Sequence, residues 1–70
     1  MERMPVSSSN VASIGYDCDS QTLEVEFLAG GVYQYMNVPA ETHTELMESS
    51  SKGAYINRFV KTMFVAVRAG

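Results

Sequence analysis

The sequence has very few residues of the kinds that bind metals or carry out covalent catalysis. Among its 70 residues, Cys18 is the only cysteine and His43 is the only histidine. An internal disulfide is therefore impossible, and a structural zinc site is not expected. Cys18 also lies between Asp17 and Asp19, whose negative charges disfavour the reactive thiolate. We expect no catalytic residue, no metal and no cofactor, in a protein that is not an enzyme.

Long apolar runs are also absent. No stretch approaches the roughly 18 residues that a membrane span requires, and residues 1–10 lack the apolar stretch of a secretory signal. The hydrophobic fraction of 46% is that of an ordinary globular protein. We expect one soluble, cytoplasmic domain over residues 1–70, in which residues 1–10 form a lead-in segment.

The charged residues are unevenly distributed along the chain. The net charge of −3, taken alone, argues against a nucleic-acid partner. However, all eight acidic residues precede Ser49, where Arg3 is the only cation. The residues after Ser49 include no acid and four cations: Lys52, Arg58, Lys61 and Arg68. This asymmetry indicates that the last part of the chain can meet an anionic partner.

Three strands are predicted from the alternation of apolar and polar residues. The clearest pattern covers residues 22–28, where every second residue is apolar, and a similar pattern covers residues 11–16. Gly30-Gly31 favours a tight hairpin, after which residues 32–37 return as a third strand. The three strands should form an antiparallel meander with one core face and one wet face.

Two helices are predicted after the strands. Pro39 suits the first turn of a helix that extends to about Glu48. The serines at 49–51 end that helix and offer an N-cap for a second one. Its apolar stripe recurs at steps of three and four residues: Tyr55, Ile56, Phe59, Val60 and Met63. Residues 64–68 fit either a continuation of this helix or a short C-terminal strand. The predicted class is α+β, a three-stranded antiparallel meander with two helices packed on one face.

Four segments of the chain, at residues 6–17, 23–27, 32–39 and 51–57, resemble a known family in their order and spacing. They are similar to the KTSC domain, a small module named for its place at the C-terminus of some lysyl-tRNA synthetases and also found as a standalone protein. The resemblance covers residues 6 to 60. It implies this family's fold and an RNA-binding function, which is suggested by the family's attachment to a tRNA-handling enzyme.

The second predicted helix carries the best candidates for binding an anion. Free amides at its start, the full charge of Lys52, and a glycine that lets a ligand approach the backbone all favour a phosphate. Arg58 and Lys61, three residues apart, could follow a phosphodiester backbone. The candidate residues on this helix are Ser51, Lys52, Gly53, Asn57, Arg58 and Lys61. Alternatively, its cations pair with the acids of the first helix, within one molecule or between two copies.

Tyr33 and Tyr35 are the candidates for stacking on a base, and their orientation depends on the hairpin register. A two-residue loop sets Leu28 opposite Tyr33, which places both phenols on the wet face as stacking platforms. A three-residue loop with a bulge sets Phe27 opposite Tyr33, which places them on the core face with hydroxyls reaching its edge.

The function expected from these observations is a non-enzymatic binding module for RNA. Lys52, Arg58 and Lys61 would hold the phosphates, and Tyr33 or Tyr35 would stack on a base. One alternative is a homodimer or another protein interaction module, with a leftover apolar surface at Met36, Met47 or Phe64. Another is a pocket at the same helix start for a small phosphorylated ligand such as a nucleotide.

Overall fold

In the computed structural model, which describes residues 1–70, five strands form one antiparallel sheet in the order β1-β2-β3-β4-β5. The strands are β1 (Met4–Pro5), β2 (Val11–Asp17), β3 (Thr22–Phe27), β4 (Val32–Tyr35) and β5 (Ala66–Arg68). Helix α1 spans Ala40–Glu48, and α2 spans Lys52–Tyr55 and continues directly into a π-helical turn, Ile56–Val60. Both helices lie between β4 and β5 in sequence. The chain is therefore a β-meander that is interrupted by a helical segment before its last strand.

The sheet has five strands, so the prediction of three was wrong in number. The predicted strands correspond to β2, β3 and β4, and the two additional strands form the edges of the sheet. Strand β1 lies within the predicted lead-in segment, and β5 shows that residues 66–68 form a strand and not an extension of the helix. With two and three residues, these strands are too short to display an alternation pattern. The α+β class, the antiparallel pairing and the two helices are confirmed.

The core lies between the helical segment and one face of the sheet. Alternate residues of β2 and β3 point inward. Among them, Ile14 pairs with Val25, and Tyr16 pairs with Leu23. From the helical side, Leu46 is the only buried residue of α1, while Ile56 and Val60 are the buried residues of the π-helical turn. The nine buried apolar residues are Val11, Ile14, Leu23, Val25, Tyr35, Val38, Leu46, Ile56 and Val60.

The π-helical turn changes the side chains that the second helix buries. The backbone N–H of Lys61 donates to the carbonyl of Ile56, five residues earlier, at 2.8 Å. Such a turn contains more residues than an α-helical turn and shifts the following residues around the axis. Phe59 and Met63, which were predicted to lie in the apolar stripe, are instead 47% and 70% exposed. The helical structure ends at Val60.

The opposite face of the sheet was predicted to be exposed to solvent. Instead, the N-terminal segment covers part of it. Arg3 forms an ion pair with Glu24, and its Nε donates to Ser13 Oγ at 2.9 Å. Gln34 Nε2 donates to the other carboxylate oxygen of Glu24 at 2.8 Å. As a result, Glu24 is only 6% exposed. The backbone passes so close to β2 that a Cβ at Gly15 would lie 2.6 Å from the carbonyl oxygen of Glu2.

Acidification is expected to destabilise the protein through Glu24. The hydrogen bond from Gln34, together with the hydrogen bond and charge of Arg3, holds the pKa of the Glu24 carboxyl below its ordinary value, despite the opposing effect of burial. Because the folded pKa is the lower one, this stabilisation is complete above the unfolded pKa and is lost as the pH falls through the folded pKa. We expect the urea midpoint of the wild type to decrease between about pH 5 and pH 3.

The Glu24→Gln variant should lose less stability over the same pH interval, as measured by circular dichroism during urea unfolding. Glu48→Gln, which removes an exposed acid of α1, serves as the matched control and should behave like the wild type. If Glu24→Gln were as sensitive to acid as the wild type, the stabilising role of the ionised Glu24 would be refuted.

Candidate functional site

A cleft of about 720 Å³ opens on the helical side of the sheet, beside the hairpin that joins β3 to β4. Four aromatic residues line it: Phe27, Tyr33, Tyr35 and Phe64. The rings of Phe27 and Tyr33 meet edge to face, with their centroids 5.8 Å apart. The polar lining residues include Asn10 and Asn57. Its volume lies within the range of about 300–1,000 Å³ that is typical of small-molecule sites.

The cleft is positively charged. Lys61 is the only charged residue that lines it, and none of the eight acids does. Lys61 Nζ lies 5.1 Å from the centroid of the Phe27 ring, and Arg68 Cζ lies 5.8 Å from that of Tyr33. Arg68 reaches this position because it pairs with Tyr33 across β4 and β5. Two cations therefore lie close to two aromatic walls of the cleft.

The cations of the last part of the chain have no carboxylate partner within the molecule. Both ion pairs in the structure involve Arg3, which bridges to Glu24 and Glu26. The alternative in which the second helix pairs with the acids of α1 in the same molecule is therefore wrong. Instead, Glu45 accepts a hydrogen bond from the Tyr55 hydroxyl at 2.8 Å. Burial and this carboxylate raise the pKa of Tyr55 to about 12.

Three predicted residues of the second helix share the side that faces the cleft. Gly53, Asn57 and Lys61 are spaced four residues apart, and all three line it. Arg58 does not line the cleft, although it lies three residues from Lys61 and was predicted to follow the same phosphodiester backbone. Its guanidinium lies 5.8 Å from the centroid of the Phe59 ring, and both residues are exposed.

The hairpin register differs from both predicted registers, but it places the tyrosines on the core face. Tyr33 pairs with Val25, and Tyr35 pairs with Leu23. Residues 28–31 connect the strands, with Gly30 and Gly31 at φ values of 109° and 95°. The register is two residues away from that of the bulged loop, and a shift of two residues leaves each side chain on the same face. The tyrosines therefore form walls of the cleft. The alternative prediction, in which they are exposed stacking platforms on the wet face, was wrong.

Tyr35 combines deep burial with a hydroxyl that has no partner in the protein. The residue is only 3% exposed. Its hydroxyl forms no hydrogen bond with another protein group. Every fully buried side-chain oxygen or nitrogen in the structure has a hydrogen-bond partner. The Tyr35 hydroxyl is therefore not fully buried and retains some accessible surface. Tyr35 is one of the residues that line the cleft. Burial raises the pKa of Tyr35, which keeps the hydroxyl protonated and able to donate.

Ser51 and Lys52, at the start of the second helix, lie outside the cleft. Ser51 Oγ accepts a hydrogen bond from the Ala54 N–H at 3.4 Å, and Lys52 Nζ donates to the Ser49 carbonyl at 2.8 Å. A Cβ at Gly53 would lie 2.9 Å from Asn10 Nδ2. The glycine therefore accommodates the Asn10 side chain in the space that a Cβ would occupy. Ser51 and Lys52 line a smaller polar notch of about 330 Å³ with four other serines.

The structure thus divides the predicted site into two parts. Tyr33, Tyr35, Gly53, Asn57 and Lys61 meet at the cleft, whereas Ser51, Lys52 and Arg58 lie outside it. Sequence reasoning missed Asn10, Phe27 and Phe64 as lining residues. The repeated spacing of four from Gly53 to Lys61 was the one sequence signal that could have identified the correct helix face.

His43 and Cys18 do not line the cleft. The His43 ring stacks on Tyr16 at 4.8 Å between centroids, and burial lowers its pKa. Cys18 is exposed in the turn between β2 and β3.

No cluster of three or more His, Cys, Asp or Glu side chains is arranged to hold a metal ion. None of the helices is sufficiently long and apolar to traverse a bilayer.

Comparison with known proteins identifies the family. The model of the KTSC domain matches residues 7–64, which cover most of the chain. The chain belongs to the KTSC domain family. A crystal structure of a KTSC domain protein from Yersinia pestis is similar to it, with 42% sequence identity and a TM-score of 0.95. That similarity covers 99% of this KTSC domain and 97% of the Yersinia chain.

Two relatives show the contexts in which similar sequences occur. An uncharacterized protein of Stutzerimonas stutzeri is 43% identical over 61 residues, which cover 87% of this KTSC domain and 86% of the relative. A lysine–tRNA ligase of Nostoc punctiforme is 38% identical over 56 residues, which cover 80% of this KTSC domain but 10% of the ligase. Sequences similar to this KTSC domain therefore occur both in small proteins and within a much larger enzyme.

Proposed function

We propose that this KTSC domain is a non-enzymatic RNA-binding module whose contact surface is centred on the aromatic cleft. The observation that carries the proposal is that Lys61 is the only charged residue among the lining residues, next to aromatic side chains. Arg68 extends the positive charge along the Tyr33 wall. Proteins recognise unpaired RNA by combining cations for the phosphates with aromatic rings for the bases.

The net charge of −3 does not oppose this function, because the acids lie elsewhere. Glu24 and Glu26 are held by Arg3 on the opposite face of the sheet. The acids of α1 belong to an element that contributes no residue to the cleft. The molecule measures 28 × 24 × 22 Å, and charges are screened over about 8 Å at physiological ionic strength. The local field at the cleft is therefore set mainly by the cations around it.

The relatives favour RNA over other anions. Three of the similar proteins are lysine–tRNA ligases, which by their names act on a tRNA. Each has a segment that is 38% to 43% identical to this chain. A segment retained within such an enzyme supports a role in contacting RNA.

Salt dependence tests the proposal directly. Fluorescence anisotropy with a labelled single-stranded RNA should show binding at low salt. With two phosphate contacts, from Lys61 and Arg68, the logarithm of the affinity should fall with the logarithm of the salt concentration with a slope of about −1.4. The affinity should therefore decrease about sevenfold between 50 and 200 mM salt. Affinity that is insensitive to salt, or no binding at 50 mM, would overturn the proposal.

Self-association is a second candidate function, favoured by exposed apolar residues near the edge strand β5. Met63, Val65 and Val67 are 70%, 73% and 53% exposed. This surface differs from the predicted one, since Met47 and Phe64 pack against the core and Met36 is half-buried. Light scattering at high protein concentration should show a dimer that Val65→Ser with Val67→Ser converts to a monomer. A wild type that remains monomeric at about 1 mM would exclude this function.

A further inference from the structure

We infer that the cleft is a pocket for one unstacked base of single-stranded RNA and that the Tyr35 hydroxyl forms a hydrogen bond with the edge of that base. The inference rests on the proposed RNA-binding function and specifies the form of RNA that is bound. It predicts that the protein distinguishes single strands from duplexes by requiring a base that is free to leave its stack.

The shape and lining of the cleft fit a base better than they fit a phosphate alone. An anion site needs converging donors and charges, whereas this cleft has one cation and four aromatic residues. Stacking on aromatic side chains is the usual way in which proteins hold unpaired bases. A base within a duplex already stacks on its neighbours, so it must be extruded before it can enter a pocket.

The Tyr35 hydroxyl is the group that most clearly indicates a ligand. It belongs to a residue that is 3% exposed and lines the cleft, and it forms no hydrogen bond within the protein. By contrast, Tyr16 donates to the Val38 carbonyl, and Tyr55 donates to Glu45. A phenol both donates and accepts, and the edges of all four bases offer acceptors and donors. The Asn57 amide on the same cleft provides a second group of the same kind.

The positions of the cations fit the phosphates that flank such a base. Lys61 and Arg68 lie within 6 Å of the rings of Phe27 and Tyr33, which themselves touch. A base that stacks on these walls would bring the phosphates of its own strand close to both side chains. A free nucleotide would offer the same base and one phosphate group, and it must therefore be tested alongside an RNA strand.

The experiment compares Tyr35→Phe with the wild type. The variant retains the ring that packs in the core and removes only the hydroxyl, so it should fold. Tyr55→Phe is the matched control because it removes a hydroxyl that lies outside the cleft. Probes are fluorescein-labelled five-nucleotide single strands of each base, a duplex RNA of matched length, and the four nucleoside monophosphates. A strand with 2-aminopurine at its centre reports stacking directly through fluorescence quenching.

We expect a single strand to bind at least about tenfold more tightly than the duplex, with quenching of 2-aminopurine. Tyr35→Phe should weaken binding of at least one homopolymer about three- to tenfold without changing the salt dependence, because no phosphate contact is lost. Tyr55→Phe should bind as the wild type does.

The possible failures distinguish this inference from the proposed function. Salt-dependent RNA binding that Tyr35→Phe leaves unchanged, or equal affinity for duplex and single strand, would overturn the base pocket and leave RNA binding intact. Nucleoside monophosphates that bind as tightly as the five-nucleotide strands would show that the pocket takes a free nucleotide, which also overturns the inference. If no RNA binds at low salt, the proposed function and the inference both fail.

Discussion

Reversing both charges beside the cleft, Lys61→Glu with Arg68→Glu, should reduce RNA affinity by at least about 100-fold. A hydrogen bond to a charged group contributes about 1.5–3 kcal/mol, so the loss of two phosphate contacts alone accounts for this decrease. The added carboxylates would also repel the strand. Both residues are exposed and neither forms an ion pair, so the thermal unfolding midpoint should change little. Anisotropy at about 50 mM salt measures the effect.

Lys52→Glu provides the control for net charge. Compared with Lys61→Glu, it makes the same change in charge on the same helical segment, but at a residue outside the cleft. It should weaken binding only a few-fold, through long-range electrostatics. A phosphate site at the start of the second helix, which the sequence favours, would instead make Lys52→Glu abolish binding. If Lys52→Glu proves to be the more damaging of the two, the binding site lies at the polar notch and not at the cleft.

Leu46→Ala should remove much of the stability of the fold. Leu46 is fully buried and is the only buried side chain of α1. Truncation of a buried leucine to alanine costs about 2–5 kcal/mol. A chain of 70 residues has a total unfolding free energy of about 4–10 kcal/mol. Urea unfolding followed by circular dichroism should therefore show a large decrease in the midpoint, or a chain that is partly unfolded without denaturant.

Leu28→Ala is the matched control for this prediction. It makes the same substitution in the turn after β3, at a side chain that is 59% exposed. Its effect on the unfolding free energy should be within about 0.5 kcal/mol. Equal destabilisation by the two substitutions would mean that Leu46 does not anchor α1 to the core.

The sequence predicts the centre of this fold better than its edges. Residues 22–27 alternate clearly because one face of β3 meets the core, and the first helix ends at Glu48 as predicted. In contrast, Met4–Pro5 and Ala66–Arg68 become strands through hydrogen bonds to neighbours that are distant in sequence. Nothing in two or three residues encodes that pairing. The π-helical turn is likewise invisible in a pattern that fits ordinary helical spacing.

The candidate site shows the same limit. The sequence identifies the cations and the aromatic residues, but it does not show that β5 brings Arg68 beside Tyr33 or that the helix turns Lys61 toward Phe27. The hairpin register determines on which side the tyrosines lie, and four connecting residues set it. Arg58 and Lys61 are close in sequence and yet belong to different surfaces. Such relationships depend on tertiary packing, which single-sequence patterns do not contain.

The lone exposed thiol makes it possible to observe binding without altering the cleft. Cys18 lies in the turn that precedes β3, whereas the cleft adjoins the turn that follows it. The six residues of β3 separate the two ends by about 17 Å. A maleimide fluorophore would therefore attach at a single position, at the end of β3 opposite to Phe27 and Lys61. Energy transfer from that label to a dye on one end of a bound strand would reveal the direction in which the strand runs.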